Sequence, residues 1–142
     1  MALAVINIGS NKGDRERLIC RATELISNHF GICCISTPVE SKPWGYESEN
    51  TFLNLGISFH TELDPLSLLD VLQRIEKEIC RDPHRDSKGN YIDREIDIDI
   101  MAFGNMRYES ERLTIPHRHL LQRSFFLTPL LQLVPDWQYP EK

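Results

Sequence analysis

The sequence predicts an α+β domain built on an antiparallel sheet, and three observations predict it. Residues 53–59 and 96–100 alternate aliphatic or aromatic side chains with small or polar ones, the period of two that marks half-buried strands. The segments after Asp14 and after Asp64-Pro65 repeat aliphatic residues at helical spacing. The segments follow one another as strand, helix, strand, strand, helix, strand, then a helical tail. At 142 residues the chain is expected to form one domain, residues 1–142. A chain of this length buries about 70% of its unfolded surface without a disulfide or metal staple.

Ala2 to Ile8 reads as a buried strand that stops at Gly9-Ser10-Asn11. Gly9 and Gly13 lack the spacing and the Lys-Ser/Thr ending of a Walker loop, so any nucleotide is held in another way. From Asp14, the residues Leu18, Ile19, Ala22, Leu25 and Ile26 define a helix that ends at Gly31. Ile32 to Val39, β-branched and closed by Pro38, predicts one strand. Residues 41–50, rich in turn formers, carry Trp44 and Tyr46, aromatics that either staple a loop to the core or stack on a flat ligand. The next strand turns Leu53, Leu55, Ile57 and Phe59 to the core and sets Phe52 and Asn54 on its other face. Asp64-Pro65 starts the second helix, with Asp as cap and Pro at the first helical position. Leu68, Leu69, Leu72, Ile75 and Ile79 form its buried stripe, and Gln73, Arg74, Glu76 and Lys77 lie on the opposite faces.

Arg81 to Asn90 has no periodicity and reads as a long loop feeding the strand that holds Ile96, Ile98 and Ile100. Between these isoleucines stand Asp97 and Asp99, which an extended backbone sends to one face with Cα atoms about 7 Å apart. Asp is a poor strand residue and two anions on one face repel. A bound divalent cation reverses the sign of that repulsion, whereas a solvated strand face tolerates it. After the Gly104-Asn105 turn, Met106 to Tyr108 is expected as a short strand, and Leu120 to Leu133 as helical pieces broken at Pro129 and ended at Pro135. The order is that of the ferredoxin-like βαββαβ fold: helices on one sheet face, the other face open to a ligand, and a short helical C-terminal tail.

Composition narrows the function. The chain is 41% hydrophobic and 26% charged, as ordinary globular domains are. Its formal charge of -5 opposes bulk attraction to nucleic acid or to an anionic membrane. No apolar run approaches the roughly 20 residues of a membrane span. The N-terminus has no basic leader and its apolar run breaks at Asn7, so a cytoplasmic location without a secretory signal is expected. Cys20, Cys33, Cys34 and Cys80 have no metal-ligand spacing and are expected reduced and mostly buried.

The loop, the carboxylate strand and the Thr114-Ile115-Pro116-His117 segment together resemble one family, 6-hydroxymethyl-7,8-dihydropterin pyrophosphokinase. Its pattern of loop Arg, aromatic, Arg and Asp-x-Asp appears as Arg81, Tyr91, Arg94, Asp97 and Asp99, followed by Phe103-Gly104. Its second half appears as Pro116-His117 and Arg123-Ser124-Phe125, and Ile8-Gly9-Ser10-Asn11 and Phe52-Leu53-Asn54 match as well. The resemblance spans Ile8 to Trp137. This sequence departs from the pattern at Tyr91, commonly Trp; at Ile92, commonly a small residue; at Cys80, usually Gly; and at Arg118, often an aromatic residue.

The resemblance implies transfer of pyrophosphate from ATP to the hydroxymethyl group of the pterin, releasing AMP, in folate biosynthesis. It implies two Mg²⁺ ions on Asp97 and Asp99. Arg81 and Arg94 would be catalytic and grip the triphosphate, with either His84 or Arg85 as a further cation, while Gln73, Glu76, Ile100, His117 and Arg123 would border ATP. Phe125 and Tyr91 would stack on the pterin, with Phe52 and Trp44 beside it. Asn54 would donate and accept along the ring edge, and Asp97 would also reach the pterin. The loop from Arg81 would close over both substrates. The partners expected are ATP and the pterin alone, with a monomeric protein and no nucleic acid or membrane. Two rival readings are another two-metal nucleotidyl-transfer enzyme or cyclase, which would release pyrophosphate, and a non-catalytic ferredoxin-like RNA-binding module. The acidic pair in mid-sheet opposes the second.

Overall fold

The computed structural model describes residues 1–43, 48–80 and 95–141. In chain order the elements are β1 (Ala2–Ser10), α1 (Arg15–Phe30), β2 (Cys33–Ile35), β3 (Val39–Ser41), β4 (Phe52–Thr61), α2 (Pro65–Ile79), β5 (Asp97–Phe103), β6 (Tyr108–Glu109), β7 (Thr114–Ile115) and α3 (Ser124–Leu133). The fold is mixed α/β. A five-stranded sheet runs in the order β2-β4-β1-β5, with β3 also paired to β4, and β6 and β7 form a separate ladder. Every pairing is antiparallel.

Local chemistry sets the helix boundaries. Asp14 accepts from the Arg17 N–H at the start of α1, and the Gly31 N–H, with φ at 86°, closes its end on the Ser27 carbonyl. Asp64 accepts from the Ser67 N–H ahead of Pro65 in α2. The Ser67 hydroxyl, and then its N–H, hold the Asp64 carboxyl below its usual range.

The segment expected as one strand over Ile32 to Val39 is two, β2 and β3. Ser36 breaks it: its N–H donates to the Gly56 carbonyl at 2.9 Å, and its hydroxyl accepts from the Gly56 N–H at 2.8 Å. The hydroxyl takes a ladder position that a main-chain carbonyl would otherwise fill, and Pro38 brings no N–H to resume the pairing. The strand expected over Met106 to Tyr108 forms at Tyr108–Glu109, because its partner is Thr114–Ile115. The cysteines are free, but Cys20 and Cys34 are exposed, on the outer side of α1 and on short β2, so the expectation of mostly buried thiols fails.

The sheet separates two cores. Ile6, Ile8, Ile57, Phe59, Ile98 and Ile100 pack under Ile19, Ala22 and Ile26 of α1 and Leu68, Leu72 and Ile75 of α2. Val5, Met101 and Ala102 pack on the other face with Leu120, Phe126 and Leu130. That face is therefore only partly open, and the tail is one helix rather than pieces broken at Pro129. Pro129 lies inside α3 because its ring fits the gap that Gly56 leaves: a Cβ at Gly56 would stand 2.7 Å from the Pro129 Cβ. Packing on the sheet thus offsets the helix hydrogen bond that proline cannot make.

A bulge in β5 explains why the consecutive residues Met101 and Ala102 both join the second core. Val5 pairs with Ala102 and Ile6 with Ile100, leaving Met101 without a partner on β1. The Met101 carbonyl accepts instead from the His117 N–H at 3.0 Å. This ties the chain after β7 to the sheet beside Asp99.

Candidate active site

On the face shared with α3, the strand register assembles the site. Gly9 of β1 lies between Asn54 of β4 and Asp97 of β5, and Asn7 lies between Gly56 and Asp99. Asp97 and Asp99 are half-buried while Ile98 and Ile100, between and beyond them, are 4% and 2% exposed in the opposite core. The period of two in this stretch of sequence is the period of the strand.

The carboxylates stand in a cleft of about 500 Å³ lined also by Phe52, Asn54, Gln73, Glu76, Ile100, His117, Arg123 and Phe125. Every candidate residue that falls among the described residues is in this cleft. Trp44, Arg81, Tyr91 and Arg94, together with His84 and Arg85, lie outside the described residues.

Glu76 is 8% exposed, not the solvated helix residue its neighbours suggest, and its Oε2 accepts from the Ile98 N–H at 2.8 Å. It thereby satisfies an N–H of β5 between the two aspartates. Gln73 is exposed and accepts from Arg112 at 3.3 Å, while the same guanidinium pairs with Asp70 at 2.6 Å. Cys80 ties the end of α2 to the start of β5: its Sγ accepts from the Ile96 N–H at 3.0 Å and donates to the Ile96 carbonyl at 3.3 Å. Burial pushes this thiol up to about 11, so it keeps the proton it donates.

Asn54 departs from expectation. Its amide N–H groups go to the Val39 carbonyl at 3.1 Å and the Ser41 hydroxyl at 2.9 Å, so it presents only its oxygen to the cleft. Phe125 and Phe126 meet edge to face at 4.8 Å, and the Arg123 guanidinium lies 5.9 and 5.1 Å from their ring centroids. His117 packs edge-on against Phe126 at 5.0 Å. Burial first, then the positive charge of Arg123, pushes the His117 imidazole down to about 4. Its Nδ1 accepts from the His119 N–H at 3.1 Å, which leaves the proton on Nε2, 3.9 Å from an Asp99 oxygen. At neutral pH this approach is a neutral imidazole facing a carboxylate, not an ion pair. Burial and the charges of Arg123 and Arg118 lower His119 as well.

The cleft also holds residues that sequence reasoning did not assign: Asn7, Gly9, Arg112, Thr114, Arg118 and His119. Signals for some were present. Asn7 interrupts the apolar run of β1, Gly9 belongs to the Gly-Ser-Asn motif, and Arg112 stands two residues before Thr114.

Fold and site define a class: an antiparallel α/β domain with paired carboxylates on the sheet, an aromatic wall at one side and cations at the rim. The family model for 7,8-dihydro-6-hydroxymethylpterin-pyrophosphokinase (HPPK) matches residues 5–135. The chain is 37% identical to the 2-amino-4-hydroxy-6-hydroxymethyldihydropteridine pyrophosphokinase of Porphyromonas gingivalis over 143 residues, covering 99% of this chain and 96% of that protein. It is 37% identical to the enzyme of the same name from Aquifex aeolicus over 140 residues, covering 99% and 85%. The chain belongs to the HPPK family. Among solved structures it is similar to an HPPK-DHPS in complex with substrates, at a TM-score of 0.73 and 15% identity, over 98% of this chain and 43% of that one. It is also similar to Plasmodium falciparum HPPK-DHPS with pteroate, at a TM-score of 0.72 and 16% identity, over 97% and 42%. The chain spans less than half of those two proteins, and their likeness carries the fold.

Proposed function

We propose that this chain, as one domain over residues 1–142, transfers pyrophosphate from ATP to 6-hydroxymethyl-7,8-dihydropterin, giving AMP and the pterin diphosphate in folate biosynthesis. The observation that carries this reading is the cleft itself, where Asp97 and Asp99 share one space with Phe52, Asn54, Phe125, His117 and Arg123. In this reading the sheet is ferredoxin-like, with β2 and β3 as the two halves of one interrupted strand.

The donor set fits Mg²⁺. Asp97 and Asp99 offer hard oxygens two residues apart, and no group of three or more His, Cys, Asp or Glu side chains able to hold a metal occurs among the described residues. Two carboxylates leave most coordination positions to water and phosphate oxygens, as Mg²⁺ prefers. Two Mg²⁺ ions held there supply charge neutralisation for the triphosphate. The remaining work belongs to the chain's own groups and consists of positioning and electrostatics. Asp97 shares a row with Gly9 and Asn54, so it is the carboxylate that meets the substrate's hydroxymethyl group; Asp99 shares a row with Asn7 and faces His117.

Phe125 and Tyr91 hold the flat faces of the pterin with Phe52 as a supporting wall, and the Asn54 oxygen reads a donor on its edge. Arg123 and neutral His117 lie along the nucleotide, with Gln73, Glu76 and Ile100 at its other side. Arg81 and Arg94 are catalytic and grip the phosphates, and Tyr91 and Trp44 complete the pterin pocket. The protein works as a cytoplasmic monomer on these two substrates.

The test is a product analysis. Purified protein with ATP, Mg²⁺ and 6-hydroxymethyl-7,8-dihydropterin is expected to form AMP and pterin diphosphate one for one, and neither product without pterin or with EDTA. Release of pyrophosphate or ADP in place of AMP overturns the reading.

A further inference from the structure

We propose that Asn7 is a specificity-determining residue, its side-chain oxygen accepting a hydrogen bond from an N–H of the pterin. The proposal rests on the pyrophosphokinase reading and adds to it a residue outside the family pattern carried by the sequence motifs. Asn7 sits in the middle of β1, where the strand's other inward positions are apolar or small, and it is 2% exposed.

The hydrogen bonds fix which end of its amide is which. Asn54 spends its amide N–H groups on Val39 and Ser41, and the Val39 carbonyl can only accept. The Asn54 oxygen therefore points to Asn7 and requires a donor, which is the Asn7 Nδ2 at 3.4 Å. Asn7 Oδ1 is left buried with no hydrogen-bond partner among the described residues. A buried acceptor without a donor costs the folded chain stability. It lines the cleft beside Asn54 on one side and the Asp99 register position on the other.

The chemistry around it specifies what completes it. Asn7 Oδ1, the Asn54 oxygen and the carboxylates of Asp97 and Asp99 make this part of the floor a surface of acceptors. An amino or ring N–H edge between aromatic walls is complementary to the amide oxygens, as cations are to the carboxylates. The 3.4 Å hold on Asn54 is long, and the second torsion of Asn is broad, so the Asn7 amide turns toward a bound ring at little cost. Asn7 thereby gives up stability in the free protein for recognition in the complex.

The test uses the full chain with Asn7→Leu, close in shape, and Asn7→Ala. Pterin binding is read by its own fluorescence in the presence of a non-hydrolysable ATP analogue and Mg²⁺, nucleotide binding is read without pterin, and melting is followed for each protein. We expect pterin affinity to fall about tenfold in both variants, the free energy of one hydrogen bond to a buried acceptor. Nucleotide affinity should stay within twofold, and the melting temperature of Asn7→Leu should equal or exceed that of the parent. Unchanged pterin affinity overturns the proposal, as does a loss of nucleotide affinity equal to the loss for pterin. A lower melting temperature with parental pterin affinity assigns Asn7 to folding alone and also overturns it. If the parent protein itself binds no pterin, the pyrophosphokinase reading fails first, and Asn7 with it.

Discussion

On one side of the sheet, Ile6, Ile8, Ile98 and Ile100 are sealed under α1 and α2; on the other, Asn7, Gly9, Asp97 and Asp99 occupy the intervening positions of the same two strands and face a cleft. One backbone serves both faces because its side-chain period is two. The first face is packed mainly with apolar groups, and the polar Glu76 buried at its edge is satisfied by the Ile98 N–H. The second collects groups a folding chain would not choose: two neighbouring carboxylates, a buried amide oxygen without a donor among the described residues, and an imidazole kept neutral by burial. Removing a side chain from the first face should therefore cost stability, and removing one from the second should cost activity.

The largest effect is expected from Asp97→Asn or Asp99→Asn. Each removes one of two like charges, so unfolding free energy should change by less than about 1 kcal/mol. Turnover to AMP and pterin diphosphate should fall on the order of a thousandfold, about 4 kcal/mol on the barrier, because charge stabilisation of the phosphoryl centre is lost. Near-parental turnover in both variants would remove the metal-ligand assignment. Ile6→Ala is the matched change on the sealed face. It should cost about 3 kcal/mol in denaturant unfolding while the folded protein keeps its turnover. Should Ile6→Ala instead lose activity without losing stability, the two faces are not separable in this way.

The difference between the faces also explains what was legible in the sequence. Periodicity is a local signal, so β4, β5, α1 and α2, with the caps at Asp14 and Asp64, could be read directly. The split at Ser36 could not, because it depends on Gly56, twenty residues away, offering its N–H to a hydroxyl. Nor could the passage of α3 through Pro129, which depends on that same glycine having no side chain. In the site, Asp97, Asp99, Asn54 and His117 carried spacing or motif signals. Asn7 breaks the apolar run of β1 and so marks itself locally, but what it and Arg112 meet in the cleft is set by strand pairing and a contact across to α2. The Asn54 amide was expected both to donate and to accept; its two donors are taken by main-chain and hydroxyl groups of β3, visible only once that strand is paired.

His117 gives the comparison a pH axis. Its native imidazole titrates near 4, whereas an unfolded His titrates at about 6.5. Between these values the unfolded chain takes up a proton that the native protein refuses. This imidazole therefore disfavours the native state as pH falls from about 6.5 to about 4, and its effect is constant below that. The expected contribution is about 2 kcal/mol lost between pH 7 and pH 5. Urea unfolding at both values should show it in the parent, and His117→Gln should lessen the drop by that amount. An equal drop in the variant would mean that other groups, not this imidazole, carry the acid sensitivity.

The smallest effect expected tests the one place where the two demands meet, the seat of α3 on the cleft face. Gly56→Ala puts a Cβ 2.7 Å from the Pro129 Cβ and 3.2 Å from Leu133. Pro129 lies within a helix and has no flexible end to move aside, so α3 must shift as a body. Overpacking of this kind should cost about 2 kcal/mol of stability. Arg123 is the N-cap of α3 and Phe125 lies in its first turn, so the same shift moves a cation and an aromatic wall of the cleft. The substrate KM values should therefore rise severalfold, with a smaller change in kcat, since the carboxylates on β5 are not displaced. A stability loss with both KM values intact would show that α3 tilts about its first turn and that its seat on Gly56 serves the fold alone.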